Sequence, residues 1–178
     1  MTERIFIYGV PGVGKTRLSK IFGKNFNMPV VEMDRIKSKA RKGKTKDRFP
    51  FLYLGTCKAY CKFGGLNKEN TIKGLIAVRL ALRKAVADEA KKYTAAIFEG
   101  AFLDPYSLKR LGRPILLTTA NEKRHRIQFL YHVDRLLDLK SSEFKSARMI
   151  QEYLTEEAKI LNIEIVDNST SVESVPFW

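Results

Sequence analysis

Short apolar runs separated by amphipathic stretches are the main pattern of this chain. The runs are rich in β-branched and aromatic residues and lack strict alternation, which is typical of strands buried on both faces of a parallel sheet. They cover residues 4–8, 29–33, 95–98, 113–118 and 163–166. Because helical patterns lie between these runs, we predict an α/β fold with a five-stranded parallel sheet and helices on both faces.

Apolar residues at helical spacing predict the elements between the strands. The predicted helices cover residues 16–24, 49–63, 67–92, 121–138 and 141–161. The charged helix at 121–138 follows the fourth strand, where we expect a helical lid that closes on a nucleotide. The sequence has no internal repeat and no linker, so residues 1–178 are predicted to form a single domain.

A glycine-rich loop joins the first predicted strand to the first predicted helix. Residues 9–16 fit the phosphate-loop pattern GxxxxGK[ST]. Its glycines let successive N–H groups converge on phosphates, and the positive end of the next helix adds to the attraction. We expect Lys15 to reach the β- and γ-phosphates of ATP, and Thr16 to bind Mg²⁺. The residues predicted to bind the nucleotide are Gly9, Val10, Pro11, Gly12, Val13, Gly14, Lys15, Thr16 and Arg17.

Two carboxylates follow predicted strands, at the edge of the sheet where ligands of such folds bind. Glu99 ends the third strand and could hold magnesium through water or orient an acceptor, with capping of the sheet edge as the alternative. Asp34 follows the second strand and could accept the proton of an attacking hydroxyl, or cap the helix after it. On the lid, arginines would neutralise the moving phosphoryl group. The predicted catalytic residues are Lys15, Asp34, Glu99, Arg124 and Arg126.

Positive charge is concentrated in residues 35–48. This segment has eight basic residues and one acid, which accounts for half of the net charge of +14. It begins directly after Asp34 and therefore borders the predicted acceptor pocket. This position favours an anionic acceptor over an idle charged loop. We therefore predict that Arg35 and Lys39 contact the acceptor together with Asp34.

Other functional classes find little support in the sequence. Cys57 and Cys61 have no second Cys/His pair to complete a zinc site, which indicates two cytosolic thiols. Residues 67–70 resemble a GTPase base-reading motif but end in Asn, and we interpret them as a helix start. His132 is interpreted as a packing residue, and the role of His125 stays open. Without a spanning segment or a signal peptide, a cytoplasmic protein with no membrane contact is expected.

Several motifs together resemble the 2-phosphoglycerate kinases, a family of P-loop kinases. Besides the phosphate loop they are VEMDRI (31–36), IFEGAFLDP (97–105), HR (125–126), ARMIQEYL (147–154) and VDN (166–168). The resemblance spans nearly the whole chain, although members of the family carry a further amino-terminal portion. It implies ATP-dependent phosphorylation of the 3-hydroxyl of 2-phosphoglycerate, which gives 2,3-bisphosphoglycerate. It also implies that Arg148 contributes to the acceptor site.

The basic segment keeps two alternatives to a small anionic substrate open. A nucleotide or RNA kinase would lay its acceptor along residues 35–48. Phe49, Phe51 and Tyr53 follow directly and could stack bases, although core packing is the other interpretation. A nucleic-acid-binding module gated by ATP, without an acceptor, fits the lid arginines and Asp34 less well. We favour the small acid because the family resemblance covers the chain.

Overall fold

The computed structural model describes residues 3–131 and 141–169. Within these ranges five parallel strands form one sheet in the order β2-β3-β1-β4-β5. The strands are β1 (Glu3–Tyr8), β2 (Val30–Glu32), β3 (Ala95–Gly100), β4 (Arg113–Thr118) and β5 (Glu164–Asp167). The predicted five-stranded parallel sheet is thus confirmed, with every strand close to its expected position.

Helices connect the strands and cover both faces of the sheet. They are α1 (Lys15–Phe26), α2 (Asp34–Arg41), α3 (Lys68–Ala90), α4 (Pro105–Leu108), α5 (Glu122–Leu130) and α6 (Ser142–Ile160). Strands β1, β3 and β4 are buried at four or five consecutive positions. Since successive side chains of a strand point to opposite faces, this burial requires packing on both sides of the sheet. Among these packed helices, α3 and α6 contact each other and α1 lies against β3.

The central strand β1 positions the candidate ligand site. It lies between β3 and β4, and the pairing aligns Phe6 with Phe98 and Ile7 with Glu99. The rings of Phe6 and Phe98 stack with centroids 4.9 Å apart, which fixes the register of the two strands. Because the strand order reverses beside β1, a ligand crevice is expected at the carboxyl ends of β1 and its neighbours.

The prediction of a helix at residues 49–63 is wrong. The segment contains two short 3₁₀ turns, Pro50–Leu52 and Ala59–Lys62, joined by an irregular loop. Pro50 starts the first turn, and Gly55 lowers helix propensity between the two. The aromatic residues fold the segment onto itself instead of forming a helix face, since the rings of Phe51 and Phe63 stack at 5.7 Å.

Two further predictions concern helix boundaries. Asn67 begins α3 as its N-cap, because its side-chain oxygen accepts a hydrogen bond from the Asn70 N–H at 2.8 Å. The helix expected at 121–138 is present as α5, while its continuation beyond Tyr131 and His132 itself lie outside the described residues. None of the helices in the described ranges combines the length and apolar character needed to cross a bilayer.

Candidate active site

The phosphate loop occupies the turn between β1 and α1. Gly12 and Gly14 have left-handed backbones with φ angles of 85° and 92°. A Cβ atom on Gly12 would lie 2.8 Å from the Cα of Phe129, and one on Gly14 would lie 2.7 Å from the Nδ2 of Asn168. Glycine is therefore required at both positions by backbone angle and by space. The loop is enclosed by α5 and by the residue that follows β5.

Lys15 is the first residue of α1, and its side chain folds back over the loop. The residue is 9% exposed, and its Nζ donates a hydrogen bond to the Val10 carbonyl oxygen at 2.9 Å. The ammonium is thus held against the phosphate loop and largely out of bulk water. In such a place its attraction for a phosphate oxygen is stronger than it would be in solvent.

Thr16 and Glu99 form a hydroxyl–carboxylate pair beside the loop. The Thr16 Oγ1 donates to the Glu99 Oε1 at 3.0 Å. Burial raises the pKa of Glu99, while nearby Lys15 and the Thr16 hydrogen bond oppose the rise and Asp34 adds to it. A hydroxyl and a carboxylate oxygen are the kind of ligands that Mg²⁺ takes next to phosphates. The residues present therefore fit a magnesium ion delivered with a nucleotide.

A cavity of about 570 Å³ joins the phosphate loop to α2. Gly12, residues 14–17 and Glu99 are among its lining residues. Asp34 and Lys37 line the same cavity from α2. The Lys37 Nζ lies 3.3 Å from Asp34 Oδ1 and 4.7 Å from the centroid of the Phe102 ring. A carboxylate and a cation thus face the loop across one shared space.

Asp34 is not the N-cap of α2. That position belongs to Met33, and the helix start has no side-chain capping hydrogen bond. The Asp34 side chain is 74% exposed and has Lys37 as its ionic partner. The alternative prediction, that Asp34 caps the helix after it, is therefore wrong.

The structure does not bring three predicted acceptor residues into the cavity. Arg35 pairs with Glu32 at 3.6 Å, and Lys39 pairs with Glu89 at 3.6 Å. Residues three apart share a helix face, so Lys37 lies beside Asp34 while Arg35 and Lys39 point elsewhere. From α6, the Arg148 Nη1 donates to the Thr119 carbonyl oxygen at 2.8 Å.

The two arginines predicted for the lid contact different segments of the chain. The Arg124 Nη1 donates to the carbonyl oxygen of Ser169 at 3.0 Å, and the Arg126 Nη2 donates to the Ser141 Oγ at 2.8 Å. Neither side chain lines the cavity in the described structure. Instead, α5 presents Ile127 and Gln128 to it.

His125 connects α5 and α6 to the phosphate loop, a role that the sequence did not indicate. The ring is fully buried. Its Nε2 lies 3.0 Å from the Pro11 carbonyl oxygen and its Nδ1 lies 3.4 Å from the Arg148 Nη1. Since a carbonyl only accepts and a guanidinium only donates, we assign the proton of a neutral ring to Nε2. Arg148 then acts on the loop through His125.

Two amides hold the loop at its other positions. With its amide oriented to satisfy both ends, Gln128 donates from its nitrogen to the Gly12 carbonyl oxygen at 2.8 Å and accepts from the Arg124 Nε at 3.2 Å. The Asn168 Nδ2 donates to the Val13 carbonyl oxygen at 2.9 Å. The carbonyl groups of the loop are thus taken up by surrounding side chains, which favours N–H groups that point inward.

Acid should destabilise the protein through His125. Burial lowers the pKa of this ring; the hydrogen bond to Pro11 opposes the shift, and the cations of Arg148 and Lys15 add to it. The unfolded ring titrates near 6.5. The stability contributed by neutral His125 is therefore fully present above that pH and is lost as the pH falls through the folded value.

This prediction is checked by urea unfolding across about pH 5 to 8, where histidine titrates. His125→Gln keeps a donor for Pro11 without a titrating ring, and its stability should depend less on pH than that of the parent. Identical pH profiles for the two proteins would show that His125 is not the group responsible.

The loop, the strand order and the cavity at the carboxyl ends of the strands define a P-loop fold of the nucleotide-binding type. No protein-family model matches the chain. A curated relative, 2-phosphoglycerate kinase of Methanocaldococcus jannaschii, is 28% identical over 96% of this chain. The chain spans 60% of the length of that relative.

Solved structures of kinases share the fold. Shikimate kinase from Acinetobacter baumannii in complex with shikimate superposes with a TM-score of 0.62 at 13% identity, covering 96% of this chain and 86% of the other. Deoxyadenosine kinase from M. mycoides with bound dATP gives a TM-score of 0.54 at 15% identity, covering 97% and 94% of the two chains. The chain therefore has the fold of the P-loop kinases.

Proposed function

We propose that this chain is an ATP-dependent phosphotransferase that moves the γ-phosphoryl group to a hydroxyl of a small anionic acceptor. The observation that carries the proposal is the cavity lined jointly by the phosphate loop, Glu99, Asp34 and Lys37. Phosphoryl transfer needs the donor and the acceptor hydroxyl side by side and in line, and a shared cavity allows this arrangement.

The phosphate loop and four polar side chains of the cavity each have a role in this proposal. The N–H groups of the loop and the Lys15 ammonium bind the phosphates. Thr16 and Glu99 are the residues that would hold Mg²⁺, which would supply positive charge next to the phosphates. Asp34 orients the acceptor hydroxyl and takes its proton late in the transfer. Lys37 attracts the negative charge of the acceptor and offsets the repulsion from Asp34.

The first candidate for the acceptor is 2-phosphoglycerate. The sequence likeness to 2-phosphoglycerate kinase over 96% of this chain supports it. The placement of charge supports a small acid as well, because Lys37 is the one cation of residues 35–48 that lines the cavity. A polyanionic acceptor would require more of that segment to face the phosphate loop.

A transfer screen with radiolabelled ATP and magnesium tests the proposal. The acceptors are 2-phosphoglycerate, shikimate, deoxyadenosine and a short RNA, each compared with ATP hydrolysis in water alone. We expect label in a bisphosphorylated three-carbon acid. Transfer to the RNA alone would replace the small acid as the acceptor, and hydrolysis without any transfer would contradict a kinase.

Lys37→Gln provides a sharper version of the same experiment. Removing this charge should raise the KM for an anionic acceptor by about tenfold, while the KM for ATP changes little, since a single contact of this kind is worth about 1–2 kcal/mol. Lys91→Gln removes one charge from an exposed site outside the cavity and is the matched control. Equal effects of the two variants would mean that Lys37 does not contact the acceptor.

A further inference from the structure

The basic segment at residues 35–48 divides into two parts in the structure. The first part lies on α2, where each cation has a partner within the protein. The partners are Glu32 for Arg35, Asp34 for Lys37, Glu89 for Lys39 and the Leu52 carbonyl oxygen for Arg41. The cations on α2 therefore either line the cavity, as Lys37 does, or hold the helix against its neighbours.

The second part is the loop after α2, and its charge has no such explanation. Lys42, Lys44, Lys46 and Arg48 are all exposed. Within residues 3–131 and 141–169, no carboxylate oxygen lies within 4.0 Å of any of these four cations. None of the four lines the cavity at the phosphate loop. With Asp47 as the one acid of the loop, these four cations leave a net charge of three, which creates a local positive field.

An aromatic recess adjoins these cations. It has a volume of about 380 Å³, and Lys44, Arg48, Phe49, Phe51 and Leu52 are among its lining residues. The Lys44 Nζ lies 5.4 Å and the Arg48 Cζ 5.8 Å from the centroid of the Phe49 ring. Phe49 remains 37% exposed. The Phe49 ring is thus accessible inside the recess, next to the Lys44 and Arg48 cations.

We propose that the loop at 42–49 and its aromatic recess form a binding site for single-stranded nucleic acid, separate from the cavity at the phosphate loop. The spaced cations contact successive phosphates, and the recess receives a base against Phe49. A lone small anion would need one or two cations rather than four. An anionic membrane would favour apolar side chains that protrude, whereas here the apolar surface is concave.

Fluorescence anisotropy with a labelled single-stranded RNA of mixed sequence tests this site. The parent should bind, with an affinity that falls steeply as salt is added. Replacing Lys42, Lys44, Lys46 and Arg48 with Gln should weaken binding by roughly tenfold or more, and the slope of log affinity against log salt should flatten by about 0.7 for each phosphate that the protein no longer neutralises. DNA of the same sequence should bind alike, because the proposal uses no 2′-hydroxyl.

A charge-matched variant distinguishes a defined site from total charge. Replacing Lys24, Lys91, Lys145 and Lys159 with Gln removes the same charge from exposed positions spread over the protein. An equal loss of RNA binding in this variant would overturn the proposal. So would the absence of RNA binding by the parent at low salt, or stronger binding of the parent to an acidic peptide or to anionic vesicles.

A change at Phe49 isolates the stacking contribution. Phe49→Leu keeps an apolar side chain but removes the ring, and it should weaken RNA binding by about tenfold without changing the salt slope. Circular dichroism and ATP binding report whether either set of changes disturbs the fold. An unchanged RNA affinity in a folded Phe49→Leu protein would remove the recess from the site.

Discussion

Lys15→Ala should lower the rate of phosphoryl transfer by about 10²–10³-fold, the usual effect of removing one preorganised charged group from a transition state. The attraction between the Lys15 ammonium and the nucleotide strengthens as charge accumulates on the oxygen between the β- and γ-phosphates, so the turnover number falls more than ATP affinity. The free energy of unfolding should change by no more than about 1–2 kcal/mol, since that is the usual effect of losing a hydrogen bond such as the one to the Val10 carbonyl oxygen. Initial rates at saturating ATP, together with urea unfolding, measure both quantities.

Lys20→Ala is the matched control for this change. Lys20 lies on the same helix and is exposed, so its removal should leave the turnover number and the stability nearly unchanged. A folded Lys15→Ala protein with near-normal transfer would contradict the role of the phosphate loop, and with it the proposed reaction.

The sheet could be predicted from sequence because its strands are continuous apolar runs. Strands buried on both faces leave no room for polar residues, and the central run of β1 from Ile5 to Tyr8 is buried throughout. The Asn67 cap was equally local, since it depends on residues three positions apart. Features that depend on neighbouring residues are visible in a single sequence.

The helix predicted at 49–63 was wrong because the spacing of its aromatic residues resembles that of a helix face. What decides its structure is a contact across the loop, the stacking of Phe51 on Phe63, and no local pattern reports such a contact. Pro50 and Gly55 were present as signals against a long helix. How strongly these two residues disfavour a helix becomes clear only when the partners of the aromatic rings are known.

In the candidate site, too, features fixed by the local sequence could be predicted and features fixed by distant contacts could not. The phosphate loop and Glu99 were found because a strand end fixes their positions. Lys37 was missed although it is three residues from Asp34, because the sequence does not tell which face of α2 meets the cavity. His125 was undetectable as a loop contact, since its partner Pro11 is 114 residues away. Charge density suggested acceptor contacts at Arg35 and Lys39, whereas these side chains pair with neighbouring carboxylates.

The division of the basic segment also separates the two functions proposed for this chain. Lys37 faces the cavity with Asp34, while Lys44 and Arg48 line the aromatic recess with Phe49. Because the two groups of charges occupy different surfaces, acceptor phosphorylation and nucleic-acid binding can be removed independently. The expected pattern is a raised KM for the acceptor with intact RNA binding in Lys37→Gln, and weakened RNA binding with an unchanged KM in the loop variant.

Asp34→Asn should lower phosphoryl transfer by about 10²-fold or more, while ATP affinity stays nearly constant. A positioned base contributes about 10²–10⁴-fold, and an amide can orient a hydroxyl but cannot take its proton. The substitution should cost little stability, because Asp34 is exposed, does not cap α2, and has one ionic partner in Lys37. Single-turnover transfer and titration with a fluorescent ATP analogue separate the two effects.

Asp47→Asn is the control for this last change, because it removes one exposed acid from the same basic segment and should leave transfer unaltered. Full activity of a folded Asp34→Asn protein would remove Asp34 from the reaction and leave Glu99 as the carboxylate next to the transferred group.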